Sequence, residues 1–239
     1  DNVVVGSTAA HTSNVGAEAQ MENNLITNRT TAYFGQLGGF GDINIENTDV
    51  TYHYAFIRRN FNLDNSIMTN TSVNTYIAGN AVVNVTDSQW TVGEYSNIGS
   101  YGGYMWGNAD VTLTRSKMIA KNNLDVEKSS TYNVKLTLVD SELQVKAFTN
   151  QGTVELKDNS KVTTDTFNNS GSITIGQGTQ MTANKNIGNS GTLTVNGTLV
   201  ADKELNTTGT VAVAGTLKHS GYNVENTINV NGGTMAISG

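Results

Sequence analysis

The chain contains no cysteine and no proline among its 239 residues. Without thiols there is neither a disulfide framework nor a thiolate metal site. Without proline every strand N–H stays available to a neighbour, which suits a parallel ladder. Charge is scarce as well: 14% of residues are ionisable, the net charge is -6, and all four arginines (Arg29, Arg58, Arg59, Arg115) fall in the first half. No basic stripe exists, which argues against nucleic-acid binding. No run of about 18 apolar residues occurs, so no helical membrane span is expected. His11, His53 and His219 are isolated and lack ligand spacing, so neither a metal nor another cofactor is expected. No signal-peptide pattern is present, and Gly239 falls within what reads as another coil. The chain is therefore expected to be a mature or excised segment of something longer.

Asn, Thr, Ser and Gly dominate instead, and 37% of residues are hydrophobic. The apolar residues recur on a fixed frame, which is not the pattern of disorder. Ten Ser or Thr residues each follow a short alternating apolar run: Thr48, Ser66, Ser88, Ser116, Ser141, Ser160, Thr179, Thr198, Thr216 and Thr234. Their separations are 18, 22, 28, 25, 19, 19, 19, 18 and 18 residues. A period near 19 means one small unit repeated and stacked, a solenoid. The unit is clearest in Phe167–Ile175 and Ile187–Val195, where an apolar residue, a polar turn ending in Gly and an apolar-polar-apolar triplet follow one another. Period-2 alternation marks a half-buried strand.

In such a coil equivalent strands lie parallel, about 4.8 Å apart. Two interior columns follow: Val154, Ile173, Leu193, Val211, Ile228, and Leu156, Ile175, Val195, Val213, Val230. Asn150, Asn169, Asn189 and Asn226 are expected to stack as an amide column, which Thr207 interrupts. The expected architecture is an all-β, right-handed parallel β-helix of about ten coils. Residues 1–42 form an N-terminal cap or first incomplete coil, 43–135 irregular, loop-bearing coils, and 136–239 regular ones. A left-handed β-helix is the alternative, because Ile175, Met181, Ile187, Leu193, Leu199, Leu205, Val211 and Leu217 recur every six residues. Lys203 fits that pattern badly, and the longer coils of the first half break it.

The segments FNNSGSITIGQGTQMTA, GNSGTLTVNGTLVA and TTGTVAVAGTL resemble the repeats of bacterial autotransporter passenger domains and filamentous-haemagglutinin-like exoproteins. The resemblance is clearest over residues 130–239 and lies in repeat style. It implies a right-handed β-helix secreted to, or displayed at, the surface of a Gram-negative bacterium, with a role in adhesion and virulence. A membrane-inserted barrel, which completes a monomeric autotransporter, is not in this stretch.

Side chains suited to recognition concentrate in the irregular half. Both tryptophans, and eight of nine tyrosines, lie at or before residue 132. Tyr95, Tyr101, Tyr104 and Trp106 fall in the longest interval, which is expected to hold a loop leaving the coil, and loops on rigid scaffolds carry binding. Flat aromatic faces suit sugar rings and protein partners. The segment 51–61 adds Tyr52, Tyr54, Arg58 and Arg59, where an Arg pair beside aromatics suits a carboxylate, sulfate or sialylated glycan. The same residues also read as core stacking and solvated turns, and Trp90 occupies an inward repeat position.

Other readings fit these residues less well. Gly38–Asp42 departs from the calcium-binding glycine/aspartate nonapeptide and occurs once, so calcium is rejected there. Polysaccharide lyases and hydrolases also use this scaffold, but need converging carboxylates. Asp87, Asp110, Asp140 and Glu142 could approach one another, although Asp87 and Asp140 sit in turns. No Gly-Asp-Ser-Gly segment for a serine nucleophile is present. Outward Thr112, Thr137, Thr174 and Thr194 form only a broken ice-binding array. The expectation is a non-enzymatic adhesin passenger that binds a host glycan or surface protein, an identical rod on another cell, or both. A polysaccharide lyase or hydrolase is the alternative.

Overall fold

The computed structural model describes residues 42–72, 74–100 and 106–219. It also describes the backbone of six further strands: Val3–Val4, Asn14–Val15, Asn24–Thr27, Ala32–Gly39, Ile228–Val230 and Thr234–Ile237. The described chain is a parallel β-solenoid of about nine turns without a helix. The Ser/Thr corners explain the difference from the expected ten: ten corners enclose nine complete intervals. Parallel pairing reaches back to Asn24–Thr27, which lies beside Ile43–Glu46, and to Ala32–Gly39, beside Asp49–Ile57.

Two sheets wall the coil, one of 12 strands and one of 15. The second is bent into two arms. Lys117–Val126, Lys161–Asn169 and Gln180–Asn189 run through the bend as single strands, whereas Ile67–Asn70 and Asn74–Ile77 divide it between them along Asp49–Ile57. Small side chains line the inner bend, where Ala120, Val145, Thr164, Ala183 and Ala201 succeed one another in register.

Both predicted apolar columns are present in register, and every member among the described side chains is buried. They continue upstream through Ile43, Phe61, Val83, Val111 and Leu136, and through Ile45, Leu63, Val85, Leu113 and Leu138. The opposite wall adds Val50, Met68, Trp90, Met118, Leu143, Val162, Met181, Leu199 and Leu217. Trp90 is fully buried, as its repeat position requires, and stacks on Phe61 with ring centroids 5.5 Å apart.

The Ser/Thr repeat is a corner device. At its start the Thr48 N–H donates to Ser66 Oγ at 3.0 Å, and the Ser66 N–H to Ser88 Oγ at 2.9 Å. The ladder passes through Ser116 and Ser141 to Ser160 Oγ. From Thr48 to Ser141 each hydroxyl donates in turn to the carbonyl two residues before it, as Ser88 does to Thr86 and Ser141 to Val139, and Ser160 donates to Lys157 O, three residues back. The residue preceding each corner is left-handed: Asn47, Asn65, Asp87, Arg115, Asp140 and Asn159 have φ between 44° and 57°. Asn and Asp tolerate that region because their short polar side chains bond locally. Arg115 is the exception, and its guanidinium is held bidentately by Asp87, Nε and Nη2 each 2.7 Å from a carboxylate oxygen.

The amide column is also present. Asn150 donates to Asn169 Oδ1 at 2.8 Å and Asn169 to Asn189 Oδ1 at 2.7 Å. Thr207 does not interrupt it: Asn189 donates to the Thr207 hydroxyl at 3.0 Å. Asn226 lies outside the described residues.

Candidate functional site

The two aromatic segments singled out in the sequence meet on the outer surface of the far arm. Asp49–Ile57 pairs with Asn74–Ile77, which pairs with Tyr95–Ile98, which pairs with Lys117–Val126. This register aligns Phe56, Tyr76, Asn97 and Asp125 in one outward column, and Asn74, Tyr95 and Asn123 in the next. Residues 58–94 separate the strands Asp49–Ile57 and Tyr95–Ile98 in sequence, yet only two strand spacings, about 10 Å, separate them in space.

Within the patch Tyr54 meets Tyr76 edge to face, with centroids 5.9 Å apart. The Arg58 guanidinium lies over the Phe56 ring, 3.9 Å from its centroid. That cation–π contact carries the Arg58 stem across Phe56, which is buried beneath it. Tyr95 is 49% exposed, a large aromatic facing solvent. Arg59, next along the chain, is exposed.

The loop expected in the longest interval springs from the edge of this patch. Ser100 and Trp106 form an antiparallel bridge, and the Gly107 N–H donates to Gly99 O at 3.1 Å, so chain leaves and rejoins the coil at one point. Gly99 makes the departure possible. It sits at φ +103°, and a Cβ there would lie 2.1 Å from Glu127 O. Glu127 clamps the base, accepting from Asn97 Nδ2 at 2.8 Å and from the Ser100 hydroxyl. Trp106 is half-buried at the stem. Tyr101 and Tyr104 lie outside the described residues.

Tyr52 departs from its expected role. It is fully buried, and its hydroxyl bonds Thr75 Oγ1 at 2.8 Å and accepts from Trp90 Nε1 at 3.0 Å. Burial pushes its pKa up to about 12 against the opposing pull of those bonds. The bend of the second sheet is the reason: regular alternation would put Tyr52 and Tyr54 on one face, but the bend falls between them and only Tyr54 turns outward. Tyr52 is a core residue, closed to any ligand.

Asp125 and Glu127 were not foreseen. They lie two residues apart on one side of the chain as it leaves Lys117–Val126. Burial raises the Asp125 pKa first of all, and the neighbouring Glu127 charge adds to this while a Thr149 hydrogen bond opposes it. The carboxylates singled out for catalysis are interleaved with cations instead. Asp87 pairs with Arg115 and Glu142 with Lys117, and Arg115 stands in the corner row between Asp87 and Asp140. The Arg115 bond holds the Asp87 carboxyl below its ordinary range. These groups line an open corner groove of about 770 Å³.

On the first sheet the outward column runs Asn44, Asn62, Asn84, Thr112, Thr137, Glu155, Thr174, Thr194 and Ala212. Asn62 donates to Asn44 and Asn84 to Asn62, at 2.7 and 2.9 Å. Glu155 breaks the Thr run and is flanked by Lys157 at 2.7 Å and Lys135 at 3.1 Å. Among the described residues no group of three or more His, Cys, Asp or Glu is placed to hold a metal ion, and no helix is long and apolar enough to cross a membrane. No protein-family model, curated protein or solved structure matches the chain, so its assignment as a β-solenoid repeat protein stands on its own register and core.

Proposed function

We propose that this chain is the passenger region of a bacterial surface adhesin, a right-handed β-helix that carries a binding surface away from a Gram-negative cell. One observation supports the reading most: a rigid coil gathers aromatic side chains and an arginine from separate turns onto one face, beside the bridged stem of Ser100 and Trp106. Tyr54, Tyr76, Tyr95 and Arg58 belong to that surface, with the exposed Arg59 next to Arg58 in the chain and Trp106 at the stem beside it; Tyr101 and Tyr104 join the proposal from the sequence alone. Large rigid aromatics give contact area at low entropic cost, and arginine adds directional charge for a host glycan or surface protein. Many copies of a weak site on one cell surface multiply the attachment.

Binding of the purified chain to cultured epithelial cells and to a glycan array tests the site. Tyr95→Ala combined with Arg59→Ala should reduce capture at least tenfold while the unfolding midpoint stays unchanged, because both side chains are exposed. Undiminished capture by that variant removes the patch from the reading. Self-association belongs to the same proposal, through the low-charge Asn44–Asn62–Asn84 face of the first sheet, and aggregation assays report it separately. A protein that neither binds cells nor self-associates is not an adhesin.

The Asp125–Glu127 pair favours a second reading, a polysaccharide lyase or hydrolase. Appearance of reducing ends or unsaturated products from pectin, alginate or glycosaminoglycans, abolished in Asp125→Asn, would establish it.

A further inference from the structure

Lower on the same arm lies a groove of about 430 Å³ whose lining carries no ionisable side chain. Its volume is in the range of small-ligand sites. Three successive coils each make the same two contributions, and Thr149 of the coil before adds to the lining. Asn168, Gly188 and Asn206 follow one another in the outward column, and Ser170, Ser190 and Thr208 follow at the turn beyond. Asn168 and Asn206 are exposed, and Gly188 lies between them as a gap in the wall. A Cβ at Gly188 would come within 2.8 Å of Asn168 Oδ1, so the gap exists only because this position lacks a side chain. Beneath it the floor is rigid, since Asn169, Asn189 and Thr207 are buried and bonded to one another.

From this arrangement we infer a binding site for a linear, uncharged oligosaccharide lying along the rod axis. Carboxamides and hydroxyls each offer both donor and acceptor, which is what a row of sugar hydroxyls needs. A lining without formal charge leaves no ion to be desolvated when a neutral ligand covers it. The pitch also fits: one strand spacing, about 4.8 Å, is close to the length of one pyranose unit along a glycan chain. A repeating ligand therefore meets a repeating wall, with one ring seated over Gly188 between the Asn168 and Asn206 amides. The site continues the outward column of the aromatic patch, Thr149 standing between Asp125 and Asn168, but it uses none of the patch's aromatic or arginine side chains and does not depend on the adhesin reading.

Cellohexaose, laminarihexaose, maltohexaose and chitohexaose, with hexagalacturonate as the charged control, are titrated into the full chain and followed by amide NMR. At least one uncharged probe should give saturable shifts centred on residues 168, 188 and 206, with none for hexagalacturonate. Gly188→Ala should weaken that binding tenfold or more. It meets only the mobile end of Asn168, so its unfolding midpoint should match the parent, and Asn168→Ala with Asn206→Ala provides a second variant. Tyr95→Ala should leave the titration unaltered. The inference is overturned if no uncharged probe gives saturable shifts at these residues, if hexagalacturonate binds equally well, or if both variants bind as the parent does.

Discussion

Tyr52 shows how one hydroxyl can hold three coils together. Its ring fills the interior beside Trp90, and its oxygen links Thr75 to the indole N–H. In Tyr52→Phe the buried indole N–H loses its acceptor, which should cost about 1–3 kcal/mol, read as a lowered urea midpoint. The pH dependence follows from the same burial. The folded pKa, about 12, lies above the ordinary 10.0, so burial of the neutral phenol contributes stability fully present below pH 10. That contribution is lost as pH rises through 12, when the unfolded chain ionises first. Parent protein should therefore lose stability steeply above pH 10, and Tyr52→Phe should flatten that descent.

At the scale of the element, the corner ladder converts a sequence repeat into cohesion between turns. Ser88 is buried, accepts the Ser66 N–H and donates to Thr86. Ser88→Ala leaves the buried Ser66 N–H without its acceptor, while Thr86 O keeps the Asn65 N–H, and should cost about 1–3 kcal/mol in chemical denaturation. Thr198→Ala, at an equivalent corner lower down and only half-buried, should cost less. The periodic Ser and Thr were legible in the sequence because the backbone demands them once per turn, as were the columns through Val154 and Leu156, because strand alternation is a local property. Three things escaped. Tyr52 was misplaced because the second sheet bends within its strand, and a bend resets which side faces inward. Thr207 was read as a gap because its residue type differs, although a hydroxyl accepts from an amide as well as a carboxamide does. Asp125 and Glu127 were missed because they acquire meaning only when Asn97 and Ser100, a whole coil away in sequence, come beside them.

For the whole molecule, each turn rests chiefly on its two neighbours, so stability is close to a sum of repeats and their interfaces. Excision of residues 153–171 tests this, because it brings Ser172 to the register position of Thr153. Gly152 then enters the strand as Gly171 does, and Ile173 takes the place of Val154 beside Leu136. The shortened chain should fold with an unchanged β-type circular dichroism per residue, and small-angle scattering should show a rod about 4.8 Å shorter. A collapse to an unfolded chain would mean that turns are not interchangeable.

The parallel register carries a mechanical consequence. Bonds between neighbouring turns point along the rod, while the covalent chain passes from turn to turn at one corner. Tension applied to the two chain ends therefore peels a single strand rather than shearing a whole layer at once. Each turn set loose feeds out about 60 Å of extended chain, so a load hung between the two ends would be let out by degrees, with the remaining turns still held.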